Sequence, residues 1–201
     1  MTKSAYKKLP RSFYLRPTLI VAKELLGKYL VRKFRGKTLI GKIVEVEAYL
    51  GELDPASHAY RGKTKRNEVM YWKGGHLYVY FTYGMHFCAN VVTEKEGIGH
   101  AVLLRAVEPI EGIEVMRKKR GFTADEANYR MLTNGPAKLC EALGIARAQN
   151  GTGLLGNEIF LTEGETIPKS QIVATTRIGI KNGTEKKWRF YVKGNPFVSR
   201  R

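Results

Sequence analysis

The chain is short of acid. Against 35 Lys and Arg it carries 18 Asp and Glu, a formal net charge of +17 over 201 residues. That exceeds what solubility asks of a small domain and implies a polyanionic partner. The chain is also short of the residues that build disulfide frameworks and metal centres. Cys88 and Cys140 are its two cysteines, far apart in sequence and set among apolar neighbours, so two buried reduced thiols are expected rather than a bridge. The four histidines, His58, His76, His86 and His100, form no pair at metal-ligand spacing, and neither a metal nor any other cofactor is expected. No run reaches the roughly 20 apolar residues that a bilayer span requires, and MTKSAYKKLPRSFYLRP at the start has no apolar signal core. The expectation is a soluble, cytoplasmic protein without membrane contact. No repeat, low-complexity segment or linker interrupts the chain, so residues 1–201 are read as one domain.

The excess cations are spread along the length, as in Arg61, Lys63, Lys65 and Arg66, or the run from Arg117 to Arg120. That distribution favours nucleic acid over a membrane surface, where a single basic cluster is the commoner design. Periodicity predicts a first helix over 17–26, opened by Pro17 and closed by Gly27. Strands follow over 28–35 and 38–49, flanking a Gly36-Lys37 turn, and over 76–82 and 85–93, flanking Tyr83-Gly84. Residues 100–107 continue the sheet. Helices are predicted near 111–119, 124–132 and 136–143, the last opening at Asn134-Gly135-Pro136, and strands return at about 171–180 and 188–193. This order argues for a mixed α+β domain on a largely antiparallel sheet rather than a doubly wound fold.

Three segments carry chemistry. In IVEVEAYLGELDPASH, residues 43–58, strand alternation puts Val44, Val46 and Ala48 on one face and Glu45, Glu47 and Tyr49 on the other. The two glutamates then lie roughly 6.6 Å apart, close enough to perturb one another if unpaired. A solvated face bridged to lysines and a functional site are equally good readings of this segment alone. In HLYVYFTYGMHFCAN, residues 76–90, Tyr83 occupies a predicted turn, where large aromatics are rare, and could fill the gap left by an extruded base. Tyr78 reads as core, while Tyr80 fits core and stacking equally. In AVLLRAVEP, residues 101–109, Arg105 shares a face with Leu103 in an otherwise apolar strand. It either snorkels to solvent or contacts an active-site anion, with Glu47 the obvious partner. The loop AYRGKTKRN, residues 59–67, suits phosphate oxygens, or is a mobile solvated loop.

Together with NGPAKLC, TTRIGI and RFYVKGNPFVS, these segments resemble the alkyladenine (3-methyladenine) DNA glycosylase family over most of the chain. The resemblance implies a single mixed domain with a protruding, DNA-inserting β-hairpin. It implies base excision repair in which alkylated or deaminated purines are flipped from duplex DNA and released by hydrolysis. The lesion class would include 3-methyladenine, 7-methylguanine, hypoxanthine and ethenoadenine. It further implies that Glu47 activates the water, with Arg105 and the main-chain carbonyl of Ile178 holding it. Tyr49, His58 and Tyr80 would wall the flipped base, with Asn90 crowding a guanine 2-amino group and Leu103 beside the base. Tyr83 would intercalate, and Thr64 and Arg66 would contact phosphates. The protein is expected to act on damaged double-stranded DNA as a monomer, and as a monofunctional enzyme, since no lysine lies in these pocket segments. A basic RNA-binding module would explain the charge without the glutamates, and a glycosidase of free sugars the glutamates without the charge.

Overall fold

A computed structural model describes residues 7–122 and 129–199. Its helices are α1 (Arg11–Tyr14), α2 (Thr18–Leu25), α3 (Ile113–Arg120) and α4 (Pro136–Leu143). Its strands are β1 (Tyr29–Phe34), β2 (Lys37–Leu50), β3 (Leu77–Thr82), β4 (His86–Val92), β5 (His100–Glu111), β6 (Ile159–Thr162), β7 (Ile172–Thr175) and β8 (Arg189–Val192). All described strand pairs are antiparallel, in the order β3-β4-β5-β2-β1-β6, with β8 and then β7 branching from β2. The fold is α+β, as the element order predicts.

The long strand β2 explains why the sheet branches. Its first half, Lys37 to Lys42, pairs with β1, while Glu45, Val46 and Glu47 pair with Tyr191, Phe190 and Arg189 of β8. Where it changes partner, the register against β5 slips around Glu45. Such a bulge bends the strand and interrupts its alternation. Consequently Val44 does not share a face with Val46 and Ala48: those two join Ile43 in the main core, whereas Val44 packs with Ala106 and Phe197. The simple alternation predicted for residues 44–49 fails at that point. Both faces of β2 are covered, so residues 43–48 are buried without a break.

The main core lies under the sheet, where α2 and α4 contribute Val21, Leu25, Leu139 and Leu143 against Leu30, Val102 and Leu104. Helix α2 closes at Gly27, whose φ is +84° and where a Cβ would stand 2.3 Å from the Glu165 carbonyl oxygen, so only glycine fits. The β1–β2 turn centres on Arg35 and Gly36, one residue earlier than predicted, because both central positions of this tight turn need positive φ and both have it. The strand predicted over 171–180 stops at Thr175, and residues 176–180 leave the sheet as a loop. Helix α1 and strand β6 were not predicted; each has four residues, too few to display a period. Of the helix predicted over 124–132, residues 124–128 lie outside the described residues, and 130–132 form a turn and bend.

Candidate active site

Where β2, β4 and β5 run together under the 176–182 loop, they line a cavity of about 710 Å³. Tyr49, His58, Tyr80, Asn90, Leu103, Arg105 and Ile178 all border it, and Tyr83 stands at its edge. The structure thus gathers every residue expected at the base pocket except Glu47, which lies just behind the lining and is 0% exposed. Glu45 is equally buried, which excludes the solvated-face reading of this pair.

Neither carboxylate is unpaired. Glu45 Oε1 accepts from Arg105 Nε at 2.9 Å and Arg189 Nε at 2.7 Å, and Oε2 from the Ser199 amide at 2.7 Å. Glu47 Oε1 accepts from the Ile178 amide at 2.8 Å and lies 3.2 Å from Arg105 Nη1, while its Oε2 accepts from the Tyr49 hydroxyl at 2.8 Å. Arg105 therefore bridges both glutamates and does not snorkel. The cluster holds two anions and the cations Arg105 and Arg189, which offsets the cost of ionised groups in a dry interior. A carboxylate offers about four acceptor positions over its two oxygens. Glu47 Oε1 meets the Ile178 amide and the Arg105 guanidinium, and Oε2 meets only the Tyr49 hydroxyl among the described residues, which leaves room there for a further donor. Burial, then the Glu47 charge, raises the Tyr49 phenol far above its usual range, so it stays a donor.

Sequence reasoning missed the groups that hold this arrangement. Arg177 and Asp54 form a bidentate pair, at 2.5 and 2.7 Å, with both side chains wholly buried. The guanidinium also donates to the Ala48 carbonyl at 3.0 Å and lies 4.7 Å from the Tyr49 ring centroid. It thereby backs the pocket wall and sets the loop that points the Ile178 amide at Glu47. Asp54 reads as a turn residue before Pro55, and Arg177 sits in an apolar run, so a charge among apolar neighbours was the available signal. It is the signal that singled out Arg105.

Across the cavity the Tyr80 and His58 rings lie 4.4 Å apart, and His58 Nδ1 lies 3.0 Å from the Tyr78 hydroxyl. Tyr78 is 1% exposed, in keeping with its core reading, and its phenol is pushed up to about 12 by burial. One edge of His58 is open to solvent, yet crowding, then the Arg66 cation, holds its imidazole below the ordinary histidine range. Asn90 is 4% exposed and its amide donates to the Tyr78 carbonyl at 3.1 Å. Two lysines, Lys138 of NGPAKLC and Lys181, also line the cavity, against the expectation of a pocket without lysine.

The 59–67 loop is built rather than loose. Buried Asn67 accepts from the Thr64 amide at 2.6 Å and donates to the His58 carbonyl at 2.8 Å and the Gly62 carbonyl at 3.1 Å. Arg61, Lys63, Thr64, Lys65 and Arg66 face solvent from this frame. At the hairpin tip, between Thr82 and His86, Tyr83 and Gly84 take φ of +52° and +68°. Tyr83 is 82% exposed, with Met85 beside it at 69%.

Residues 12–196 match the family model described as methylpurine-DNA glycosylase (MPG). A Carboxydothermus hydrogenoformans protein named "Putative 3-methyladenine DNA glycosylase" is 54% identical over 194 residues, covering 96% of this chain and 99% of its own. Identically named proteins of Chlorobaculum tepidum and Clostridium acetobutylicum are 49% and 51% identical, each over 96% of this chain and over 91% and 97% of their own. Similarity of this depth, along nearly the whole length, shows that the chain belongs to the methylpurine-DNA glycosylase family, DNA glycosylases of DNA repair.

Proposed function

We propose that this protein flips damaged purines out of duplex DNA and hydrolyses their N-glycosidic bond with a water activated by Glu47, leaving the strand uncut. The observation that carries this reading is the state of Glu47. It is a buried carboxylate that meets the Ile178 amide, the Arg105 guanidinium and the Tyr49 hydroxyl, with room for a further donor on Oε2 behind the wall of an aromatic cavity. Loss of the base leaves an oxocarbenium-like sugar, so a fixed anion at that place both stabilises the developing charge and takes a proton from the attacking water. The Ile178 carbonyl accepts nothing from the described residues and can hold that water, together with Arg105. A basic binding module without activity has no use for such a carboxylate beside an aromatic cavity.

Purines methylated at N3 or N7 are cationic, and the faces of Tyr49 and Tyr80 attract them. Hypoxanthine and ethenoadenine depart neutral and need a proton. The depressed pKa of His58 leaves it unprotonated near neutral pH, so it holds no proton in reserve for them. Asn90, locked by its bond to Tyr78, crowds a guanine 2-amino group, and Leu103 packs beside the base. Tyr83 fills the vacated stack, while Thr64 and Arg66 grip phosphates. A single domain acting as a DNA-associated monomer suffices for these steps. Of the lysines in the lining, Lys138 Nζ is engaged with Asn134 Oδ1 at 2.8 Å, and the borohydride arm of the test decides whether either acts as a Schiff-base nucleophile.

The test is release of free purine from duplexes carrying 3-methyladenine, 7-methylguanine, hypoxanthine or ethenoadenine, with borohydride added in parallel. Base release without a trapped covalent adduct is expected. A trapped adduct would replace the hydrolytic reading with an amine-based one, and no release from any duplex would overturn the whole assignment.

A further inference from the structure

Arg105 presents three nitrogens to three partners. Nη1 faces Glu47 at 3.2 Å, Nε donates to Glu45 Oε1 at 2.9 Å, and Nη2 donates to the Ser199 hydroxyl at 3.1 Å. The Ser199 hydroxyl in turn donates to Glu45 Oε1 at 2.9 Å, and its amide to Glu45 Oε2 at 2.7 Å. Two of the three contacts thus come from behind the guanidinium, on the side away from Glu47. Ser199 reaches Glu45 from a distant part of the chain, and the segment that carries it is tied down. Phe197, 4% exposed, packs on Val44 and Ala106, the Val44 side chain being available there because of the β2 bulge. Asn195 Nδ2 donates to Glu108 Oε2 at 2.9 Å, and its Oδ1 accepts from the Phe197 amide at 2.9 Å.

We infer that Ser199 and Glu45 are positioning residues for base excision: they hold Arg105 so that a single nitrogen meets Glu47. A guanidinium released from behind pairs best with a carboxylate through two nitrogens. Drawn into such a fork, Arg105 would occupy the open acceptor position of Glu47 Oε2, where the water must donate its proton. The C-terminal segment therefore keeps the base available by holding Arg105, with Ser199 at the border of the cavity. This inference rests on Glu47 being the base.

Removing Glu45 takes a carboxylate from two buried guanidinium groups and destabilises the fold, so the test is placed at Ser199, which is half-buried and uncharged. Single-turnover release is measured on duplex DNA methylated at purine nitrogens, using the full chain. Ser199→Ala should excise about tenfold more slowly while binding the same duplex within about twofold, and Ser199→Thr, which keeps the hydroxyl, should recover most of the rate. Added to Arg105→Ala, Ser199→Ala should cost nothing more, because its effect passes through that arginine. A parental rate for Ser199→Ala, a Thr variant as slow as the Ala variant, or losses that multiply in the double variant would each overturn the inference. Glu47→Gln run alongside separates the two failures. If it excises normally the reading of the base is wrong, whereas an inactive Glu47→Gln beside an unaffected Ser199→Ala sinks the positioning role alone.

Discussion

The floor of the cavity and the tip of the β3–β4 hairpin depart from the usual distribution of residues in opposite directions. At the floor, Glu45 and Glu47 are ionisable and wholly buried; at the tip, Tyr83 and Met85 are large, apolar and mostly exposed. Each departure costs stability. Burying an ion costs several kcal/mol even after relaxation, and a non-glycine residue in the left-handed region costs roughly 1–2 kcal/mol. The floor recovers its cost within the fold, through Arg105, Arg189, Tyr49 and the amides of Ile178 and Ser199. At the tip, Tyr83 is 82% exposed, so its side chain recovers little from the described residues. A self-satisfied charge suits a group that must wait in a fixed geometry, and an unsatisfied aromatic suits one that is completed by a partner.

The comparison breaks if the floor proves merely structural. Glu47→Gln preserves shape and removes the base, so single-turnover excision should fall by about 100-fold or more with lesion binding retained; near-parental excision would exclude Glu47. The converse should hold at the tip. Tyr83→Ala should leave the melting temperature within roughly 3 °C and lower the plateau of 2-aminopurine fluorescence beside a lesion, and a large thermal loss would instead make Tyr83 part of the core. A third surface, the 59–67 loop, sharpens the contrast because its residues are exposed but charged. Arg66→Ala should flatten the log-log salt dependence of binding by roughly one unit for damaged and plain duplex alike. An unchanged slope with an altered lesion preference would show that the loop reads bases.

The smallest effect concerns pH. Burial holds both His58 and His100 below the usual histidine range, with Arg66 adding to the effect at His58. The unfolded chain therefore binds protons first, and their contribution to stability is complete above the unfolded value of about 6.5 and is lost as pH falls below it. The drop in melting temperature between neutral and mildly acidic buffer should shrink in His100→Gln. An unaltered drop would mean that other groups set it.

Much of the site was legible because its residues violate local patterns. A glutamate pair in a β-branched strand, an arginine in an apolar run and a tyrosine at a turn each conflict with what packing alone would choose, and each lies on or beside the cavity. Asp54 and Ser199 escaped notice because acidic and hydroxyl residues beside Pro55 or in a polar segment conflict with nothing. Arg177 stands out less than Arg105 because Thr175 and Thr176 precede it, and the strand read over 171–180 ends at Thr175.

By itself the sequence determined the α+β class, the boundaries of α4, the two hairpins and the identity of the charged and aromatic outliers. All of these follow from periods of two or 3.6 residues and from turn chemistry, which act over a few positions. Only the tertiary structure decided that Glu45 and Glu47 are buried rather than solvated, because that depends on β8 and residues 195–199 closing over β2 from more than a hundred positions away. It also decided that Val44 turns away from Val46, since a bulge arises where one strand must serve two partners. Which donors each of the two carboxylates meets is likewise settled by long-range folding, and no local pattern carries that information.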